Sequence, residues 1–238
     1  NIGTFKSHIC KGCSNLSSNT GNAQLEAIAK ICSSCDKKNT ILEDLFNINY
    51  FELFNVKPNF IIDKKHIDKE YKSLQKIVHP DLINSLNDQQ AIKEAEGASS
   101  YITKSYATLK DDYKRARYML SLFDIDVEQV KLNQEALEKF MELNFEIEEQ
   151  ENIAKLEELK SSLQLQKDSL LNQINQLFED FLKQCDFANL KSKSDMNTQE
   201  LVQAVSQYKY YINAFRIVDE KLHGKKLEGL QSQKNTLI

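Results

Sequence analysis

Four of the five cysteines fall into two close pairs near the start of the chain. The pairs are Cys10 with Cys13 and Cys32 with Cys35. Two Cys-x2-Cys pairs at this separation match a four-thiolate zinc site, because each pair can hold one side of a tetrahedral ion. The spacing predicts a structural zinc ion in a small metal-binding segment, residues 1–45. An iron or redox site and four unrelated thiols stay open as alternatives.

Two further arguments favour zinc in this segment. A redox dithiol usually occurs as one pair in a βαβ context, and that context is missing here. A metal ion would also replace the apolar core that a segment of this length cannot build. The odd cysteine count with paired spacing fits a reducing compartment, and the fifth cysteine, Cys185, is expected to be a small packed apolar residue.

The tripeptide His79-Pro80-Asp81 follows a segment in which lysines recur in steps of four, three and four. This spacing places the lysines on one helix face, while apolar residues form a separate stripe. The basic positions are Lys65, Lys69, Lys72 and Lys76. Taken alone, a lysine row is usually a solvated face, and a histidine before proline is usually a loop residue. Their combination between two helices indicates a contact site for a partner.

The elements that carry these residues are predicted to be helical. With 2 prolines and 6 glycines in 238 residues, the chain has few helix breakers, which favours an all-α fold. Four helices are predicted in residues 46–122 and a three-helix bundle in residues 123–223, followed by a flexible tail, 224–238. In the bundle, apolar residues at spacings of three and four indicate coiled-coil-like packing.

Three segments of the chain resemble a J domain. They are Tyr50-Phe51-Glu52-Leu53-Phe54, His79-Pro80-Asp81 and Arg115-Ala116-x-Tyr118-Met119-Leu120. Together with the C-terminal helices, they resemble more narrowly the HscB family of iron–sulfur cluster cochaperones, called Jac in fungi. The cysteine pairs are similar to the zinc-finger extension of the animal members of this family.

The resemblance implies two binding surfaces. His79, Pro80 and Asp81, with the four lysines, would contact a DnaK-class heat-shock chaperone and stimulate its ATPase. A patch on the bundle would bind the iron–sulfur cluster scaffold protein, so that the chain delivers this scaffold to the chaperone. The matching positions of the patch are Leu137, Glu138, Met141, Glu142, Phe145 and Tyr210. Helical spacing alone leaves open that Leu137, Met141 and Tyr210 belong to the core instead.

Composition and charge limit the remaining functions. The formal net charge of −4 is unlike the basic balance usual in nucleic-acid binders, and no apolar run is long enough to span a bilayer. With 4 histidines and no phosphate-binding glycine loop, we expect no enzyme and no organic cofactor. A general J-domain cochaperone for unfolded proteins and a zinc-dependent interaction module stay open, as does a homodimer. The resemblance places the protein in the mitochondrial matrix and leaves a cytoplasmic pool open.

Overall fold

The computed structural model describes residues 48–78, 89–186, 191–192 and 198–236. In these residues the fold is all-α apart from one pair of two-residue strands, as the sequence predicts. The chain divides into two compact units, the first ending at Arg115 and the second beginning at Ala116. This division falls earlier than the predicted end of the J domain at residue 122. None of the described helices has the length and apolar character needed to cross a membrane.

The described residues of the first unit form three helices and the start of a fourth. Their bounds are α1 Tyr50–Leu53, α2 Lys64–Val78, α3 Gln89–Lys110 and α4 Asp112–Ser121. Asn49 caps α1 by accepting a hydrogen bond from the backbone N–H of Glu52 at 3.0 Å. Asp63 caps α2 by accepting hydrogen bonds from the N–H groups of Lys65 and His66.

Helices α2 and α3 pack antiparallel through their apolar stripes. Ile67, Leu74 and Val78 of α2 are buried, and Ile102 and Leu109 of α3 are fully buried. Polar contacts fix the register, because the Ser99 hydroxyl donates to Gln75 Oε1 at 2.9 Å. The predicted inward face of α2 is therefore confirmed for these three residues.

After the end of α4, the described residues of the second unit form a 3₁₀ turn and three long helices. Their bounds are Val127–Gln129 for the turn, then α5 Gln134–Glu149, α6 Ile153–Gln184 and α7 Gln199–Thr236. A short antiparallel strand pair follows α6, formed by β1 Cys185–Asp186 and β2 Lys191–Ser192. Helix α7 packs against both of the other helices: it runs antiparallel to α6 and parallel to α5.

The prediction that the chain leaves the helix at Gly224 is wrong, because α7 continues to Thr236. One glycine inside a helix costs only about 1 kcal/mol relative to alanine. Ion pairs directly after it support the helix: Lys225 pairs with Glu151, and Lys226 pairs with Glu157 at 2.7 Å. The first residues after Gly224 are thus held against the start of α6 and the residues just before it.

Candidate partner-binding surfaces

The outer face of α2 presents its lysines to solvent. Lys65, Lys69, Lys72 and Lys76 are all exposed. None of the four forms a salt bridge with another residue in the described part of the chain. Their positive charge is therefore available to an acidic partner surface.

A cluster of polar and aromatic side chains fixes the orientation of this face. The Tyr106 hydroxyl donates to Asp68 Oδ1 at 2.9 Å, and the ammonium group of Lys110 donates to both residues. The Tyr71 and Tyr106 rings stack with centroids 4.1 Å apart. The hydrogen bonds from Lys110 and Tyr106 lower the pKa of Asp68 from its usual value. These contacts between α2 and α3 hold the lysine row outward.

Arg115 anchors the segment that leads into α2. Its side chain is only 3% exposed and donates to the carbonyl oxygens of Phe60 at 2.7 Å and Leu109 at 2.6 Å. It also pairs with Asp112 at 2.5 Å. Burial raises the pKa of Asp112, but hydrogen bonds from Arg115 and Lys64 outweigh it and lower the pKa below its usual value. Arg115 thereby satisfies carbonyls from two distant parts of the first unit.

His79, Pro80 and Asp81 lie outside the described residues. The structure places the end of α2 at Val78, directly before this tripeptide, and the start of α3 at Gln89. The lysine row therefore runs along a helix whose last residue adjoins the tripeptide. This arrangement agrees with the one predicted from the sequence.

The second candidate surface lies on α5, which begins after Asn133. The Asn133 side chain caps this helix by accepting a hydrogen bond from the N–H of Ala136 at 2.9 Å. Phe140 and Ile147 point into the bundle and are buried. Leu137 and Met141, for which helical spacing left a place in the core open, are exposed instead.

The apolar side chains of α5 thus divide between two faces. Met141 is 64% exposed and Phe145 is 66% exposed, and Leu137 is also exposed. Leu137, Met141 and Phe145 recur every four residues, so they form one outward ridge. The alternative that Leu137 and Met141 are core residues is therefore wrong. Exposed large side chains grouped in this way are typical of a protein contact surface.

Tyr210 belongs to α7 and packs against α5. Its ring stacks on Phe140 with centroids 5.0 Å apart and an interplanar angle of 24°. One edge of Tyr210 remains exposed. The structure therefore brings Tyr210 to the same side of the bundle as α5, from a helix that begins far along the chain.

Acidic side chains surround the ridge. Helix α5 contains six glutamates and one lysine, and all six glutamates are exposed. Glu138 accepts a hydrogen bond from Gln134 at 2.8 Å. Glu142 is free of salt bridges to any residue that the structure describes. The predicted patch is thus a small apolar area with a negatively charged rim.

Lys221 of α7 fixes the C-terminal end of α5. Its ammonium group donates to the carbonyl oxygens of Ile147 at 3.1 Å and Glu148 at 2.5 Å. These carbonyls lie in the last turn of α5, where a cation is favourable. Lys221 also pairs with Glu151 at 3.3 Å. The sequence did not indicate that Lys221 and Arg115 act as anchors. Both side chains donate to backbone carbonyls, such as those of Ile147 and Phe60, that tertiary packing brings near them.

Cys10, Cys13, Cys32 and Cys35 lie outside the described residues, so the zinc site stays a prediction. Within the residues that the structure does describe, no cluster of His, Cys, Asp or Glu side chains is arranged to hold a metal ion.

A family model described as DnaJ domain matches residues 49–118. A co-chaperone protein HscB homolog from Shewanella sp. (strain ANA-3) is 40% identical over 80 residues, which are 34% of this chain and 45% of that relative. The chain thus matches less than half the length of this relative. The homolog from Shewanella woodyi is 29% identical over 157 residues, covering 66% of this chain and 85% of that relative.

Two solved structures share the fold. Chaperone HscB from Vibrio cholerae has a TM-score of 0.59 at 22% identity and covers 73% of this chain and 96% of its own. Human co-chaperone protein HscB has a TM-score of 0.63 at 20% identity and covers 96% of this chain and 94% of its own. The chain thus contains a segment that matches the DnaJ domain, its sequence is similar to HscB co-chaperones, and its fold is shared with two HscB structures.

Proposed function

We propose that the chain is a J-type cochaperone that stimulates the ATPase of a DnaK-class chaperone and delivers an iron–sulfur cluster scaffold protein to it. One observation carries the proposal. A helix within a DnaJ domain exposes four lysines and ends directly before His79-Pro80-Asp81. The names of the relatives, which are co-chaperones, support the same role.

The chain itself does no chemistry in this proposal. Pro80 restricts the loop backbone, and Asp81 offers a carboxylate to a basic group of the chaperone. The lysine row on α2 attracts an acidic chaperone surface and speeds encounter. Binding then favours the chaperone conformation that hydrolyses ATP, because a ligand shifts a conformational equilibrium by its differential affinity.

The second surface holds the scaffold. Leu137, Met141 and Phe145 offer exposed apolar area on α5, Tyr210 adds to it from α7, and glutamates form the rim. An apolar centre with a polar rim is the usual composition of a protein interface. Two surfaces on one chain allow the scaffold and the chaperone to be bound together.

The substitution Asp81→Asn tests the chaperone contact. We expect it to abolish stimulation of the chaperone ATPase, measured as phosphate release, while circular dichroism shows an unchanged helical fold. Asp124→Asn is a matched control, since Asp124 is exposed and has a positive φ of 60°, a conformation that asparagine tolerates. Normal stimulation by the Asp81 variant would refute the proposal.

We also propose that Cys10, Cys13, Cys32 and Cys35 hold one structural zinc ion. Their spacing supports this proposal. Mass spectrometry of the purified chain is expected to find zinc, which Cys13→Ser removes. Iron with visible absorbance would overturn the choice of metal. A site of action in the mitochondrial matrix is proposed on the resemblance alone, and fractionation of cells checks it.

A further inference from the structure

One carboxylate lies beside the exposed lysines of α2. Asp68 comes one helical turn after Lys65 and one turn before Lys72, and these are the spacings at which side chains on a helix meet. The other carboxylate of α2, Glu70, is only 9% exposed and lies nearly opposite to Asp68 around the helix. Asp68 is therefore the carboxylate of this helix that can neutralise the lysine row from within.

Lys110 of α3 binds this carboxylate instead. Its ammonium group is 2.5 Å from Asp68 Oδ1 and 2.9 Å from the Tyr106 hydroxyl, which itself donates to the same oxygen at 2.9 Å. Tyr106 is held in place because its ring stacks on that of Tyr71. The two donors direct the carboxylate toward α3, and it forms no ion pair with a lysine of α2 among the residues that the structure describes.

The charges in this cluster show which cations compete for Asp68. The hydrogen bonds from Lys110 and Tyr106 are the main reason why the pKa of Asp68 lies below its usual value, and the charge of Lys72 also lowers it. Lys72 is therefore near enough to attract Asp68, although Lys110 holds it. The hydrogen bonds to Asp68 and Tyr106 raise the pKa of Lys110, so its ammonium group stays charged at neutral pH.

The other charged side chains around the cluster have different partners or lie far from it. Asp111 accepts a hydrogen bond from a backbone N–H in the first turn of α4, and Asp112 pairs with Lys64 at 3.0 Å. The exposed Glu96 of α3 precedes Lys110 by about 21 Å along the helix axis. In the described part of the chain, the lysine row therefore has one nearby carboxylate, and α3 supplies the cation that holds it.

We propose that Lys110 is a positioning residue for the chaperone-binding surface: by binding Asp68, it keeps Lys65 and Lys72 free for the chaperone. Without the charge of Lys110, Asp68 turns to Lys72, because an acidic residue four positions before a lysine is a favourable helix pair. The attraction of the lysine row for an acidic partner then falls. This inference rests on the proposed function and names a residue on a neighbouring helix that tunes it.

Removal of the charge at Lys110 tests the inference with the full chain and a purified DnaK-class chaperone. Phosphate release is measured against the concentration of the chain, which separates the half-maximal concentration from the maximal rate. We expect Lys110→Gln to raise the half-maximal concentration about threefold at low salt, because weaker attraction slows encounter. The maximal rate is expected to stay unchanged, because the contact made by Asp81 is retained.

Substitution of Asp68 separates this role from a merely structural one. Asp68→Asn keeps an oxygen that can accept from Tyr106 but has no charge to hold a lysine. If the ion pair only supported the fold, Asp68→Asn would weaken stimulation as Lys110→Gln does. We expect instead that Asp68→Asn lowers the half-maximal concentration about twofold, because Lys110 is released and adds to the row. Asp68→Asn combined with Lys110→Gln is expected to restore the wild-type value.

Two further variants serve as controls. Lys110→Met keeps the aliphatic stem without the charge and is expected to repeat the result of Lys110→Gln. Lys104→Gln removes an exposed positive charge from another face of α3 and is expected to leave the half-maximal concentration nearly unchanged. Thermal melting confirms that each variant is folded. Equal losses for Lys104→Gln and Lys110→Gln would overturn the inference, because net charge alone would explain them.

The remaining outcomes distinguish this inference from the proposed function. If the wild type stimulates the chaperone and Lys110→Gln does so equally well, the function holds and the inference is wrong. The inference is also wrong if the double variant is as weak as Lys110→Gln, since Lys110 would then act by direct contact or through the fold. If the wild type gives no stimulation, the proposed function is wrong, and the inference fails with it.

Discussion

Helices α2 and α5 are both amphipathic, but they expose different kinds of side chain to solvent. Helix α2 buries its apolar stripe and exposes lysines. Helix α5 buries Phe140 and Ile147 but leaves Leu137, Met141 and Phe145 in solvent among glutamates. A partner of α2 therefore meets mainly positive charge, whereas a partner of α5 meets apolar area within a negative rim. The first surface favours fast encounter, and the second favours a longer-lived complex.

The two helices are also anchored differently. A buried guanidinium, that of Arg115, holds the segment before α2. A partly exposed ammonium, that of Lys221, holds the end of α5. Burial makes an unsatisfied carbonyl costly, so the first anchor contributes more to stability than the second.

The largest expected effect comes from removing these anchors. Arg115→Ala leaves the Phe60 and Leu109 carbonyls buried without their donor, and we expect the free energy of unfolding to fall by about 3 kcal/mol. Lys221→Ala, whose acceptors are nearer to solvent, is expected to cost about 1 kcal/mol. Denaturant titration followed by circular dichroism measures both values. Equal losses in the two variants would contradict the difference between the anchors.

Removal of the apolar ridge is expected to separate the two functions. Leu137→Ala combined with Met141→Ala should weaken scaffold binding by about a hundredfold, because interface energy concentrates in a few large side chains. ATPase stimulation in the absence of scaffold should not change. Leu165→Ala is the matched control on α6. A parallel loss of stimulation would show that the two surfaces do not act independently.

Charge reversal on α2 is expected to give the complementary result. Lys69→Glu combined with Lys72→Glu should lower ATPase stimulation by about tenfold at low salt, because the attraction to an acidic chaperone becomes repulsion. Scaffold binding measured by calorimetry should be retained. The control reverses Lys131 and Lys155, which are also exposed but belong to the second unit. A similar loss in the control would point to net charge rather than to the face of α2.

The smallest expected effect is on the stability of the fold at acidic pH. The lowered pKa of Asp112 stabilises the fold at pH values above its usual value of 3.8, and this contribution is lost as the pH falls through the lower folded value. Solvent screens this partly exposed carboxylate, so the contribution is expected to be below about 1 kcal/mol. Asp112→Asn should reduce the acid sensitivity of unfolding between pH 5 and pH 2, approximately. Identical pH profiles of variant and wild type would exclude this role.

The sequence predicted which face of a helix is buried where the spacing of apolar residues fits only one face. On α2, the charged and apolar residues occupy different faces, so both the buried Ile67 and the exposed Lys69 were predicted correctly. On α5, the apolar residues fit two helix faces, and spacing cannot say which one meets the bundle. Leu137 and Met141 were therefore assigned to the inward face as well as to the contact patch, and only the packing of α7 decides between them.

Contacts between distant parts of the chain could not be predicted from the sequence, because the partners meet only in the folded structure. Arg115 was recognised as part of a motif, but its acceptor at Phe60 depends on tertiary packing. The helix after Gly224 was missed because its stabilising partners, such as Glu151, lie in another element.

Because α5 and α7 together form the partner-binding surface, partner binding requires that the bundle is folded. The two parts of the scaffold patch, on α5 and at Tyr210, come from distant parts of the polypeptide and meet only when α5 packs against α7. An excised α5 peptide would lack Tyr210 and would compete poorly with the intact chain. By mass action, a ligand that recognises only the assembled bundle must raise its melting temperature, so cargo occupancy can be followed as thermal protection of the second unit.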